Sequence, residues 1–240
     1  MPISHTDGPA QVSDDRRRFL RFLGAGTLAV GAAGTLAACD SSDPNFTTPD
    51  PQAPAAVTFN FSAAGDVGPL NYAYALEQLE GAFYGLVVAN YINLFSASEQ
   101  QLLRDLAAHE AIHRDFLAAA LGDAKIPNLT LNTAAFANVN TRESILDAAL
   151  LFEDLGVAAY NGAGRYIMDD SYLTIAGKIV SVEARHAAAI ATARFGSPTA
   201  PRLGAPDVIN GQGLDRAFAP EDVIRAASQY VLNDLSVTGA

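Results

Sequence analysis

Four pairs of residues carry the side chains of this sequence that could do chemistry together. Two pairs join a glutamate to a tyrosine seven residues later, and two join a glutamate to a histidine three residues later. In chain order the pairs are Glu77 with Tyr84, Glu110 with His113, Glu153 with Tyr160, and Glu183 with His186. At about 100° per residue, these spacings return a side chain to within roughly 20° or 60° of its partner, so each pair shares one helical face.

The order of these pairs repeats along the chain. A single glutamate precedes each Glu-x-x-His motif, by 33 residues from 77 to 110 and by 30 residues from 153 to 183. Glu77 and Glu153 both stand in apolar surroundings, and an unpaired buried carboxylate costs several kcal/mol or takes up a proton. Four inward carboxylates therefore require cations, and two divalent metal ions would balance them while His113 and His186 bind as neutral imidazoles.

The repeated pattern resembles the ferritin-like di-iron or di-manganese carboxylate bundles, in which two helices each give a Glu and two each give a Glu-x-x-His. The resemblance implies two iron or manganese ions. Its implied metal ligands are Glu77, Glu110, His113, Glu153, Glu183 and His186. It also implies that Tyr84 and Tyr160 donate hydrogen bonds to ligand carboxylates, although packing of an amphipathic helix explains both tyrosines equally well. Within the family, the run L-E-Q-L-E-G-A-F-Y is most similar to exported proteins described as desiccation-associated.

Two further residues lie close to the expected ligands. Glu80 is near the same helical face as Glu77 and could replace it as the first ligand. The spacing of seven that Glu77 to Tyr84 shares with the second repeat favours Glu77. His109 points about 100° away from the ligand face, so we expect it on the surface or behind the ligands.

Four helices must position these residues, and the sequence predicts an all-α fold. Their expected ranges are about 69–95, 97–121, 141–164 and 170–195. Ser96 and Glu99 form an S-x-x-E capping box before the second helix, and residues 123–140 form a long connection without a helical period. The connections between the first and second helices and between the third and fourth are short, whereas the connection between the second and third is long. This pattern predicts an up-down-down-up ferritin-like bundle. A fifth short helix is expected at 220–235, and residues 57–61 could form a short extended piece.

The N-terminal residues look like a targeting segment. Arg16, Arg17 and Arg18 precede Phe-Leu and a weakly apolar run, as in twin-arginine export signals. The only cysteine, Cys39, closes a Leu-Ala-Ala-Cys sequence that resembles the lipobox of bacterial lipoproteins, and the alternative is a free or buried thiol. The expected domains are a signal at 1–38, a lipid-anchored Pro-rich tether at 39–66, the bundle at 67–196, and a loop with the C-terminal helix at 197–240.

Composition and charge exclude some classes of partner. Half of the 240 residues are apolar, which is enough for one domain with a sizeable core. The formal net charge of −11 argues against binding nucleic acid or anionic lipid. The same charge suits cations, and it equally suits a solubilising surface. We therefore expect an exported protein of the periplasm or cell envelope that meets the membrane through its lipid anchor alone.

Two functions from different classes fit these features. The first is a ferroxidase-like or manganese-catalase-like oxidoreductase that uses dioxygen or peroxide in iron oxidation or in peroxide protection of the envelope. The second is a structural, desiccation-stress protein that does not turn over. The sequence leaves open the choice between these, the choice between iron and manganese, and whether the chain forms a homodimer.

Overall fold

A computed structural model describes residues 54–199 and 209–240 of the chain. The expected signal at 1–38, the lipidation site Cys39 and the tether as far as residue 53 lie outside the described residues. These parts of the domain plan stay predictions. Among the residues described, no helix is both long enough and apolar enough to cross a membrane.

Four long helices form the body of the fold. They are α1 (Val67–Asn90), α2 (Ala97–Leu121), α3 (Arg142–Ala163) and α4 (Asp170–Phe195). The boundaries of α2, α3 and α4 fall within one residue of those predicted. The predicted end of α1 at residue 95 is wrong, because the helix ends at Asn90 and a 3₁₀ turn, Ile92–Leu94, follows it.

Polar caps fix where the helices start. The Ser96 side chain accepts a hydrogen bond from the Glu99 backbone N–H, and the Glu99 side chain accepts one from the Ser96 backbone, as the sequence predicted. Thr141 and Ser144 form the same reciprocal arrangement at the start of α3. At the end of α4, Gly196 adopts a left-handed conformation with φ of 76°, which terminates the helix without steric strain.

The helices pack as two antiparallel pairs, α1 with α2 and α3 with α4, and α1 also packs on α3. Residues 122–141, the long connection, place the start of α3 beside the start of α2, where Arg142 is paired with Glu99. This is the expected all-α bundle with one long crossover. Asp66 holds the opposite end together, because its carboxylate accepts hydrogen bonds from the backbone N–H of Met168 at 2.7 Å and of Asp169 at 2.9 Å.

The C-terminal segment differs from its prediction. Helix α5 covers only Pro220–Ala227 and does not reach the predicted end at residue 235. Residues Leu235–Thr238 form a strand, β2. Strand β2 pairs in parallel with β1, Val57–Asn60, which is the extended piece expected at 57–61. The partner strand was missed because each strand has four residues and β2 lies 178 positions along the chain from β1, so no local pattern links them.

Two apolar clusters occupy the bundle interior on either side of the four buried glutamates. The larger cluster includes Phe83, Leu103, Ile145 and Ile190. The smaller cluster consists of Leu70, Ala73, Tyr74, Leu117, Leu121, Tyr160 and Ile179. Along α2 and α4, the glutamate lies between residues of the larger cluster and residues of the smaller one. The carboxylates therefore sit in a middle layer with hydrocarbon above and below.

Candidate metal centre

The structure brings all six predicted ligand side chains to one place in the middle of the bundle. Glu77 comes from α1, Glu110 and His113 from α2, Glu153 from α3, and Glu183 and His186 from α4. Each of the four glutamates has 0% of its surface exposed. Full burial of four carboxylates in one layer carries a large desolvation penalty, so the arrangement needs positive charge or protons.

The six side chains form two overlapping groups, each with ligand atoms that lie within 4.8 Å of one another. We call the group of Glu77, Glu110, His113 and Glu183 the first half of the centre. The group of Glu110, Glu153, Glu183 and His186 is the second half. Glu110 and Glu183 belong to both halves. Two cation positions would therefore share two carboxylates, while each position keeps one glutamate and one histidine of its own.

In each half, carboxylate oxygens converge on one histidine nitrogen. His113 Nδ1 lies 2.8 Å from Glu183, 3.3 Å from Glu110 and 3.5 Å from Glu77. His186 Nδ1 lies 2.9 Å from Glu110, 3.0 Å from Glu183 and 3.3 Å from Glu153. A single Nδ1–H cannot hydrogen-bond three carboxylates at once. One imidazole nitrogen facing three carboxylate oxygens is a donor set that can hold a divalent metal ion.

One oxygen of each glutamate is left without a hydrogen bond. These oxygens are Glu77 Oε2, Glu110 Oε1, Glu153 Oε2 and Glu183 Oε1. These oxygens lie close to the histidine nitrogens, but the angles between the two groups are unsuitable for hydrogen bonds. Buried oxygens of this kind cost roughly 1–3 kcal/mol each or more when charged, unless a cation or a proton satisfies them. The residues present therefore fit a metal centre.

The two tyrosines bind carboxylates across the bundle. The Tyr160 hydroxyl of α3 donates a hydrogen bond of 2.5 Å to Glu77 Oε1 on α1. The Tyr84 hydroxyl of α1 donates to Glu153 Oε1 on α3. The sequence paired each tyrosine with the glutamate two turns earlier on its own helix, whereas the structure exchanges the partners. The exchange follows from antiparallel packing of α1 and α3, which sets the start of one repeat beside the end of the other.

His109 also contacts the centre. Its Nδ1 lies 2.9 Å from His186 Nε2, and the two rings stack at 5.1 Å with an angle of 6° between their planes. His186 thus faces the carboxylates through Nδ1, while its Nε2 contacts His109 on the other side. The sequence predicted that His109 lies off the ligand face, and it is exposed. Its contact with His186 could not be read from α2 alone, because it depends on how close α4 approaches.

Glu80 is a fifth buried glutamate, but it belongs to neither half of the centre. The structure therefore places Glu77, and not Glu80, among the converging side chains. The Glu80 carboxyl group reaches α3, where a Cβ added to Gly156 would lie 2.9 Å from Glu80 Oε1. Burial, followed by the charges of Glu110 and Glu77, raises the pKa of Glu80 well above its usual value. Burial therefore favours the neutral form of Glu80.

Burial dominates the protonation of the single glutamates. Desolvation raises the pKa of Glu77 to about 8, opposed by the nearby His113 and helped by the charges of Glu183 and Glu110. Desolvation also raises the pKa of Glu153 well above its usual value, against the nearby His186. Without a cation, burial therefore favours the protonated form of both carboxyl groups.

The pKa values of the two histidines are raised as well. Burial lowers the pKa of His113, but the carboxylates of Glu110, Glu183 and Glu77 around Nδ1 outweigh burial and raise the pKa to about 12. The same balance raises the pKa of His186 to about 12. For Glu183, burial favours a higher pKa, yet both histidines together lower it to about 2. In the metal-free protein, protons therefore occupy the space where cations would bind.

The fold and the buried cluster define a class of protein, a four-helix bundle with a candidate site for metal ions at its centre. The sequence model described as the ferritin-like domain matches residues 65–195. This match spans more than half of the chain, from just before α1 to the end of α4, so the chain belongs to the ferritin-like domain family. A comparison with curated proteins finds no match.

Proposed function

We propose that this chain is an exported ferritin-like protein that binds two iron or manganese ions and oxidises iron or removes peroxide in the cell envelope. The observation that carries the proposal is the convergence of four fully buried carboxylates on two histidine nitrogens, with one oxygen of each glutamate lacking a hydrogen bond. Two divalent ions would match the four negative charges. A donor set without thiolate suits iron and manganese.

The residues of the chain take distinct parts in this proposal. Glu110 and Glu183 would help to hold both ions, Glu77 and His113 would hold one ion, and Glu153 and His186 would hold the other. When bound, the metal pair supplies redox chemistry toward dioxygen or peroxide. Tyr84 and Tyr160 hold the two unshared carboxylates in place through their hydroxyl groups.

The surrounding hydrocarbon has a part as well. The larger and the smaller apolar clusters enclose the carboxylate layer from its two sides. They keep bulk water away from it, which strengthens the attraction between carboxylates and cations. Burial also keeps the Tyr84 and Tyr160 pKa values well above their usual value, so both phenols retain the proton that they donate.

Metal content tests the proposal directly. We expect about two iron or manganese ions per chain when the full chain is produced with both metals supplied. Glu110→Ala should lose them, because Glu110 belongs to both halves. Asp105→Asn is the matched control, since Asp105 is an exposed carboxylate of the same helix. A folded protein with less than about a tenth of an equivalent, and no uptake of Fe(II) without oxygen, would contradict the proposal.

Export and lipidation form a separate part of the proposal. The twin-arginine pattern at Arg16–Arg18 and the lipobox-like sequence ending in Cys39 support it. Replacing Arg16, Arg17 and Arg18 by Lys should retain the protein in the cytoplasm, and Cys39→Ser should release the exported protein from the membrane fraction. Membrane attachment that survives Cys39→Ser would exclude a lipid anchor at this residue.

The alternative function is a structural, desiccation-stress protein of the envelope. The run L-E-Q-L-E-G-A-F-Y favours it, because this run resembles the desiccation-associated ferritin-like proteins. His186→Ala separates the two functions. If the variant loses metal and still protects cells against drying as the unmodified chain does, the oxidase function is wrong and the structural one stands.

A further inference from the structure

A small, partly open cavity lies in the end of the bundle formed by the start of α1. All four long helices contribute to its wall, including Ala73, Leu117, Tyr160 and Ala176. Its volume is about 20 Å³. The wall coincides largely with the smaller apolar cluster, and its lining is almost entirely hydrocarbon.

The cavity adjoins the first half of the candidate metal centre. The Tyr160 ring forms part of the wall, while the Tyr160 hydroxyl donates its hydrogen bond to Glu77 Oε1 at 2.5 Å. Leu76, another wall residue, directly precedes Glu77 in α1. Ile179 lines the cavity one helical turn before Glu183. Tyr160 therefore contacts both the cavity and the Glu77 carboxylate.

Size and lining select the molecules that this cavity admits. A water-sized molecule needs about 10–15 Å³ of such space, so the cavity has room for one small molecule. Hydrogen peroxide and hydrated ions would lose their hydrogen bonds to water without replacement in a hydrocarbon wall. Apolar cavities in proteins take up apolar guests such as xenon. Dioxygen shares this apolar character and is small enough.

We propose that the cavity binds dioxygen and delivers it to the half of the centre that contains Glu77 and His113. The proposal rests on the oxidase function proposed above and specifies the oxidant that this route admits. Peroxide must reach the centre elsewhere. The two oxidants should therefore respond differently when the cavity is filled.

Xenon tests the cavity itself without any metal. In crystals of the full chain under xenon pressure, we expect one bound xenon atom between Ala73, Tyr160 and Ala176. Crystals of Ala176→Leu should show no xenon there, because the added side chain fills the space. Absence of xenon from the cavity of the unmodified protein would overturn the proposal.

Oxidation kinetics test delivery. In the iron-loaded protein, Ala176→Leu should lower the rate of Fe(II) oxidation several-fold at low dioxygen, with less effect at high dioxygen. Its rate with hydrogen peroxide and its iron content should equal those of the unmodified protein. Ala193→Leu is the matched control, since Ala193 is a partly buried alanine of the same helix that packs on the larger apolar cluster. It should leave the dioxygen dependence unchanged.

The outcomes separate this proposal from the function on which it rests. Equal slowing with both oxidants, or no slowing with either, would overturn delivery through the cavity. If Ala176→Leu does not fold, Ala73→Val supplies a smaller obstruction with the same expected pattern. Failure of the unmodified protein to take up iron would overturn the oxidase function, and dioxygen delivery with it. The xenon result would still decide whether the cavity takes an apolar guest.

Discussion

The two halves of the candidate metal centre contain the same residue types in different surroundings. In the first half, His113 has 12% of its side chain exposed, and the ring that stacks beside it is that of His186, at 6.3 Å. In the second half, His186 has 5% of its side chain exposed, and His109 is stacked on it. The repeated ligand pattern thus determines which residues each half contains. It does not determine which neighbouring residues orient those side chains.

Access differs between the halves as well. Tyr160, which binds Glu77 of the first half, also forms a wall of the small cavity. Tyr84, which binds Glu153 of the second half, is fully buried in the larger apolar cluster. The first half therefore lies beside the small cavity. In the second half, the imidazole of His109 lies behind the ligand His186.

The largest effect is expected when a shared carboxylate is removed. Glu183→Ala should abolish binding of both metal ions, because Glu183 belongs to both halves. Glu77→Gln should lose only the ion of the first half, since Glu77 belongs to that half alone. Metal content by mass spectrometry on the two purified variants measures the difference. Equal losses in both variants would mean that the halves do not bind independently.

The pH dependence of stability should separate the halves next. The pKa of Glu77 in the metal-free protein is raised to about 8. A raised pKa contributes stability below the unfolded value of about 4.3 and loses it as the pH rises through the folded value. The pKa values of both histidines are raised to about 12, so both also contribute less stability as the pH rises above their unfolded pKa. In the presence of a chelator, the melting temperature should therefore fall between about pH 5 and pH 8.

Metal should oppose this trend, because binding displaces protons and strengthens as the pH rises. The rise in melting temperature on adding Mn(II) should be larger at about pH 8 than at about pH 5. Glu77→Gln should flatten the slope of the metal-free protein. Glu99→Gln is the control, since Arg142 holds the pKa of Glu99 at about 2 and its contribution is lost only in more acidic solution. An unchanged slope in Glu77→Gln would rule out Glu77 as its source.

The smallest effect is expected from His109. Loss of a residue that holds a metal ligand from behind weakens metal affinity by about 10- to 100-fold. His109→Ala should weaken the affinity for one of the two ions by this factor and leave the affinity for the other unchanged. The reason is that His109 contacts His186 and not His113. Isothermal titration calorimetry with Mn(II) resolves the two affinities.

A conservative replacement sharpens this result. His109→Asn keeps a polar nitrogen near the position of Nδ1 and should recover part of the affinity. Gln101→Ala changes an exposed polar side chain of the same helix and should change neither affinity. If His109→Ala weakens both ions equally, His109 supports the bundle as a whole and does not hold one half in particular.

Much of the fold was predictable because local signals decide it. The capping pair of Ser96 and Glu99 marks the start of α2 in the sequence and forms in the structure as expected. Gly196 directly follows the predicted end of α4 at residue 195 and terminates the helix in the structure. The unpredicted strand β2 shows the limit, since its hydrogen bonds depend on β1 at the far end of the described chain. Its four residues carry too short a pattern to distinguish a strand from a helix end.

The sequence by itself determined which helix faces carry carboxylates and imidazoles, because helical periodicity turns spacings of three and seven into shared faces. Only the tertiary structure placed Glu77, and not Glu80, among the converging side chains and exchanged the tyrosine partners. It also set His109 behind His186. These features depend on the distance, angle and direction with which one helix passes another. Packing of side chains from distant parts of the chain sets those quantities, and no local spacing encodes them.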